Sequence, residues 1–194
     1  MALVLNEEQQ MLRESAKAFI QESSPVSALR GLRDKGEEWS PELWSGMAEM
    51  GWTGIAIPEQ YGGLEFGYVG AGLIVEECGR TLASSPLVST SVVCASLVTA
   101  LGSDAQKKAM LPAIASGELV VALALSESAG FDPLATALTA VPNGEGYVLS
   151  GAKVHVLDGG IAERFIVAAR TAGNPGDEDG LSLFIVDRDT DGLN

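Results

Sequence analysis

From Asn6 to Gly117 apolar positions recur every three or four residues, and from Leu119 onward they fall into short runs and alternations. The first spacing belongs to helices packed through one face, the second to strands. Asn6 ahead of Glu7-Glu8-Gln9 forms an Asn-x-x-Gln capping pattern, and Met11, Leu12, Ala16, Phe19 and Ile20 then follow at helical spacing. Pro25 marks a break. Ser40 before Pro41 is an N-cap followed by proline at the first helical position; it predicts a helix over Glu42–Met50 that Gly51 stops. Ile55–Gly63 reads as a loop, punctuated by Pro58 and Gly62-Gly63. Further helices are predicted over Val69–Leu82 and Leu87–Leu101, and Ser103-Asp104-Ala105-Gln106 caps another that runs to Gly117.

Beyond that point Leu119–Leu125 is a continuous apolar run, and five segments are strand-like: Ala135–Val141, Tyr147–Leu149, Lys153–Leu157, Phe165–Ala169 and Leu181–Val186. Turn signals at Asn143-Gly144, Gly151, Asp158-Gly159-Gly160 and the polar stretch Gly173–Gly180 separate them. Helices followed by strands predict an α+β chain of two domains, helical over 1–117 and β-rich over 118–194. The β domain is expected to be incomplete, because Asp191-Gly192-Leu193-Asn194 follows a strand with no closing element, leaving an edge that another segment or a longer chain would cover.

Composition narrows the function classes. The 194 residues carry a formal charge of −14 with no cluster of Lys and Arg, which argues against nucleic acid and against an anionic membrane surface as partners. Ser91–Leu101 and Leu119–Leu125 are too short to span a bilayer, which takes about 20 helical residues. Met1-Ala2-Leu3-Val4-Leu5 lacks the basic and long apolar regions of a signal peptide. Cys78 and Cys94 stand in apolar helical patterns without metal or redox spacing, so a cytoplasmic protein is expected.

Catalytic patterns are scarce. A single histidine, His155, excludes a multi-histidine metal site within the chain, and no Ser or Cys stands in a nucleophile motif. No G-x-G-x-x-G opens a helix, and the adjacent acids at Glu7-Glu8, Glu37-Glu38, Glu76-Glu77 and Asp177–Asp179 read as solvated surface. No metal and no catalytic side chain is assigned.

An ordered series of motifs goes further. Leu43–Gly54, Ile57-Pro58-Glu59-Gln60-Tyr61-Gly62-Gly63, Glu76-Glu77-Cys78-Gly79-Arg80, Gln106–Gly117, Ala124-Leu125-Ser126-Glu127, Gly146–Lys153 and Leu183–Asp187 succeed one another along the chain. In that order they resemble the motifs of acyl-CoA dehydrogenases. The resemblance implies the N-terminal all-helical domain and most of the central β domain of a flavoprotein, the latter as an incomplete antiparallel β-barrel or sandwich-like domain. Its C-terminal helical bundle, with the glutamate that usually abstracts the substrate α-proton, is not represented. It implies FAD as cofactor, an acyl-CoA thioester as substrate, an electron-transfer flavoprotein as electron acceptor, and a homo- or hetero-oligomer with a homologous subunit. Carried over by motif, Leu123, Leu125, Ser126, His155, Val156 and Leu157 would line the flavin, and Ala129, Gly130 and Phe131 the acyl side.

Departures from the family pattern are specific. Ser126-Glu127-Ser128-Ala129-Gly130-Phe131-Asp132 is one residue shorter than the usual segment and lacks its proline. His155-Val156-Leu157 stands where the family has Trp-Ile-Thr, so the packing tryptophan and the hydroxyl near the flavin are both replaced, leaving the Leu157 backbone N–H as a donor. Phe131-Asp132-Pro133-Leu134 with Val154–Asp158 and Gly159-Gly160 is similar to small subunits of pimeloyl-CoA dehydrogenase and related paired dehydrogenases, which act with a second homologous subunit. Three other readings stay open: a non-catalytic partner subunit, a same-fold flavin monooxygenase or acyl-CoA oxidase, and a ligand-free helical interaction module joined to a β domain.

Plain structural roles are also expected. Gly62 and Gly63 would supply unusual backbone geometry, Glu127 would hold a strand end by hydrogen bonds, and Arg80 would pair with Glu76. Lys153 and Arg164 would be solvated strand-edge residues, and Asp177–Asp179 an exposed loop.

Overall fold

The computed structural model describes residues 4–194, so Met1–Leu3, on which the signal-peptide reading partly rests, lie outside the described residues. They form two compact units, one ending at Val120 and the other beginning at Val121. The first holds six α-helices: α1 (Glu7–Ser23), α2 (Val26–Lys35), α3 (Pro41–Glu49), α4 (Gly67–Thr81), α5 (Ala95–Leu101) and α6 (Asp104–Ala115).

Local chemistry sets their ends. Asn6 and Ser103 close full capping boxes with Gln9 and Gln106, and the Ser40 hydroxyl accepts from the Leu43 amide ahead of Pro41. Ala16 and Ile20 of α1, Leu43, Trp44 and Met47 of α3, Ile74 of α4 and Met110, Leu111 and Ile114 of α6 are buried, with Trp52, Ile55 and Ile57 from the connecting loop. The last turn of α6 would leave carbonyls unpaired, but Thr53 Oγ1 donates to Ala115 O at 2.6 Å and Trp44 Nε1 to Gly117 O at 2.8 Å. In the Pro58–Gly63 loop Gly62 has φ 83°, and a Cβ on Gly63 would stand 2.0 Å from the Ile57 carbonyl oxygen, so both glycines are required by the backbone.

Two helical expectations change. α2 was not legible from the pattern because it buries no residue and carries no side-chain N-cap. The helix predicted over Leu87–Leu101 is divided: Leu87–Cys94 is π-helical and only Ala95–Leu101 is α. Its sequence, Leu-Val-Ser-Thr-Ser-Val-Val-Cys, is rich in β-branched and hydroxyl residues that support the α-helix poorly. Cys78 and Cys94 are free and buried, and burial pushes their thiols up to about 11 and about 12.

The second unit is a five-stranded sheet: β1 (Val121–Ala124), β2 (Thr139–Asn143), β3 (Gly146–Ser150), β4 (Arg164–Arg170) and β5 (Leu181–Asp187). β4 is its axis. β5 runs antiparallel along all of it, from Arg164↔Asp187 to Arg170↔Leu181, while β1 runs parallel along its first half and β2 joins at Thr139↔Arg170. The sheet is therefore mixed, not antiparallel throughout. The β2–β3 hairpin folds toward β5, where Tyr147 and Phe184 meet edge to face with centroids 5.0 Å apart. Ala124, Leu138, Ala140, Val167 and Ala169 form the enclosed core.

Two strand expectations are corrected. Ala135–Val141 begins in a short 3-10 turn, Pro133–Ala135, and pairs only from Thr139. Lys153–Leu157 is not a strand, because His155 takes a left-handed φ of 53° and cannot continue a ladder. Among the described residues no helix is long and apolar enough to cross a membrane, and no group of three His, Cys, Asp or Glu side chains could hold a metal ion.

Candidate functional site

The chain leaving β1 meets the irregular segment after β3. Val154 N–H donates to Ser126 O at 2.8 Å. Beside that bond Lys153, with only 6% of its side chain exposed, donates from Nζ to Leu125 O at 3.0 Å and to Glu127 Oε1 at 2.6 Å. Lys153 is thus a buried tie, correcting the solvated-edge expectation. The Glu127 carboxylate also accepts from the Ala137 amide at 2.8 Å and the Leu138 amide at 2.9 Å, which fixes the approach to β2. Burial raises its pKa, but the bond from Lys153, the two amides and the lysine charge together hold it below the ordinary carboxylate value. Gly151 makes the approach possible: a Cβ there would lie 2.8 Å from Leu138 Cγ.

Past Lys153 the backbone turns back on itself. His155 and Asp158 both have positive φ, 53° and 57°, and residues 157–161 form a turn closed by Gly159 N–H to Val156 O and Ala162 N–H to Asp158 O. Arg188 braces the turn by donating to the carbonyls of Gly159 and Ala162, with its guanidinium 5.5 Å from the centre of the Phe165 ring. Arg164, expected to be solvated, donates to Asp187 at 2.6 Å across the β4–β5 pair.

Leu123 is half-buried in β1, opposite Ile166, and Leu125 and Ser126 are half-buried just beyond it. Val156 packs against the core cluster, whereas His155 and Leu157 are exposed. The Ser126 hydroxyl, the His155 ring and the Leu157 amide have no hydrogen-bond partner among the described residues. Ala129, Gly130 and Phe131 lie on an exposed loop that no hydrogen bond ties to residues 153–157, and Phe131 is 79% exposed.

Arg170 escaped sequence reasoning. It is 5% exposed and donates to four carbonyls: Leu134 at 2.8 Å, Thr136 at 3.2 Å, Asp177 at 3.1 Å and Asp179 at 2.8 Å. It thereby fastens the turn after the 128–132 loop and the polar loop before β5 to the same strand end. The one available signal was an arginine closing the run Phe-Ile-Val-Ala-Ala. Elsewhere Arg80 does pair with Glu76, at 2.5 Å, and also with Glu77 at 3.3 Å; Asp177–Asp179 is exposed.

The acyl-CoA dehydrogenase N-terminal domain matches residues 6–118, and the middle domain of the same family matches residues 122–194. Mitochondrial isovaleryl-CoA dehydrogenase of Pongo abelii is 34% identical over 194 residues, covering 97% of this chain and 46% of that protein. PigA with FAD and proline superposes with a TM-score of 0.86 at 30% identity, over 100% of this chain and 51% of that one. A chain of the ChsE4–ChsE5 complex of Mycobacterium tuberculosis gives 0.84 at 25% identity, over 97% and 49%. The chain spans about half the length of the curated relatives it matches.

Proposed function

The chain belongs to the acyl-CoA dehydrogenase family, and from that membership we propose that it forms part of an FAD-dependent enzyme that dehydrogenates an acyl-CoA thioester between its α and β carbons and hands the electrons to an electron-transfer flavoprotein. The observation that carries the reading is the meeting of residues 125–127 with 153–157. It leaves the Ser126 hydroxyl and the Leu157 amide without partners among the described residues, beside half-open Leu123 and Leu125. Unpaired donors next to apolar side chains suit a flat ring system edged with acceptors, so these residues fit FAD. The likeness to PigA with FAD supports the same assignment.

Bound FAD supplies an acceptor for the hydride leaving the substrate β-carbon. Leu123, Leu125 and Leu157 would hold the cofactor through apolar contact and keep water from it. Ser126 donates from its hydroxyl. Leu157 has no side-chain donor, so its main-chain N–H serves instead. Val156 anchors this segment in the core, His155 would stand beside the cofactor, and Ala129, Gly130 and Phe131 would serve the acyl side. Glu127 already accepts from three donors, so the removal of the α-proton is not assigned to it. A cytoplasmic location belongs to the same proposal and rests on the two buried free thiols.

Titrating the complete protein with FAD, then adding acyl-CoA without oxygen, tests the reading. Saturable binding followed by bleaching of the flavin absorbance is the expected result, with reoxidation fast by electron-transfer flavoprotein and slow in air. Fast reoxidation in air moves the assignment to an oxidase or monooxygenase. His155 and Leu157 favour a second reading, a partner subunit that shapes another chain's site, as in the paired pimeloyl-CoA dehydrogenase branch. FAD retained only when a homologous second subunit is added would establish it.

A further inference from the structure

We infer that Lys153 is a positioning residue for the cofactor site: lodged between the Leu125 carbonyl and the Glu127 carboxylate, it sets the spacing between the Ser126 hydroxyl and the Leu157 amide. The inference rests on the FAD reading above and goes beyond it, since Lys153 touches neither cofactor nor substrate in that reading.

Neither segment inherits its position from a ladder. β1 ends at Ala124, one residue before Leu125, and residues 152–156 belong to no strand. Among the described residues the backbone joins the two segments by one hydrogen bond, Val154 N–H to Ser126 O. A single bond leaves a hinge about its own axis. Lys153 adds two more points, on either side of Ser126, and three points fix an orientation. Glu127 extends the tie to the Ala137 and Leu138 amides, so the clamp is referred to the start of β2 and through it to the core.

The chemistry suits the task. A compact ammonium on a flexible stem directs its donors separately, here to a neutral carbonyl and to a carboxylate. With 6% of the lysine side chain and 21% of the glutamate side chain exposed, the pair is shielded from the screening that makes surface ion pairs weak. Removing either charge leaves the other shielded and without its counter-charge, so the clamp is expected to open and not merely soften.

The test uses the complete protein and its Lys153→Met and Glu127→Gln variants, with FAD itself as the probe. For each, the FAD dissociation constant, the visible circular dichroism of the bound flavin and the melting temperature are measured, the first two well below melting. Loss of a charge-assisted bond predicts FAD binding weaker by about tenfold or more in both variants. The visible dichroism should shift, because the ring's donors have moved, and the double variant should bind FAD no worse than Lys153→Met alone. Folded variants with wild-type dissociation constant and wild-type dichroism overturn the inference, even if they melt earlier, since a purely structural pair would change only melting. If Lys153→Met does not fold, Glu127→Gln decides alone: it keeps side-chain volume, removes the charge facing Lys153 and leaves one accepting oxygen where the carboxylate has two. A wild-type protein that binds no FAD overturns the FAD reading itself, and the inference with it.

Discussion

The guanidinium of Arg170, a buried residue, donates to the Leu134 carbonyl oxygen at 2.8 Å, joining residues 36 apart in sequence. Its other bonds go to main-chain oxygens as well, so a charged side chain here does the work of a strand pair where no strand can form. The reason is geometric: a planar fork with five N–H donors can serve several carbonyls at once.

Replacing Arg170 by Met should therefore cost about 3 kcal/mol or more, because four carbonyls lose their donor together. Lys, which reaches fewer of them, should fall between Met and wild type. Urea denaturation of the complete protein measures both, and equal stability of Met and wild type would show the fork to be dispensable.

Gly62 and Gly63 should respond differently to alanine despite being neighbours. At Gly62 the penalty is only the left-handed backbone, about 1–2 kcal/mol, since nothing lies within 4 Å of the place its methyl would take. At Gly63 the methyl would stand 2.0 Å from the Ile57 oxygen, and the loop must shift, at about 3 kcal/mol. Melting temperatures that rank the two the other way would contradict the loop geometry.

Acid should weaken the clamp in a definite direction. The folded pKa of Glu127 lies below its unfolded value, so its contribution to stability is complete above the unfolded value, about 4.3, and is lost as pH falls through the lower folded one. Wild type should thus exceed Glu127→Gln in stability at neutral pH and converge toward it in acid. A stability difference that does not shrink as pH falls would speak against the charge-assisted bonds to Lys153, Ala137 and Leu138.

Leu157→Thr should tighten FAD by about twofold to tenfold if this position faces the ring, through one restored side-chain hydrogen bond. An unchanged dissociation constant in the complete protein would turn Leu157 away from the cofactor. His155 needs a different substitution. With φ at 53° it occupies a region that Asn and His tolerate, so His155→Asn should leave the melting temperature near wild type. His155→Trp should lower it, because a bulky ring at positive φ is an outlier where Asn and His are tolerated.

The sequence carried most of what is local. Caps at Asn6, Ser40 and Ser103, the helical period through α1, α4 and α6, and the change of period after Gly117 all follow from interactions within a few residues of one another. The Arg80–Glu76 pair was legible for the same reason, being one helical turn apart. The motif series identified the family because those residues keep their order whatever their contacts. Tertiary structure decided the rest. Lys153 reads as solvated in sequence, yet it is buried because its partners lie 26 and 28 residues away. The 153–157 segment alternates like a strand, but a left-handed turn at His155 and a tie to Ser126 withdraw it from the sheet. Hydrophobic period is a property of neighbours along the chain, whereas burial of a charge depends on which distant carbonyls and carboxylates the fold delivers to it.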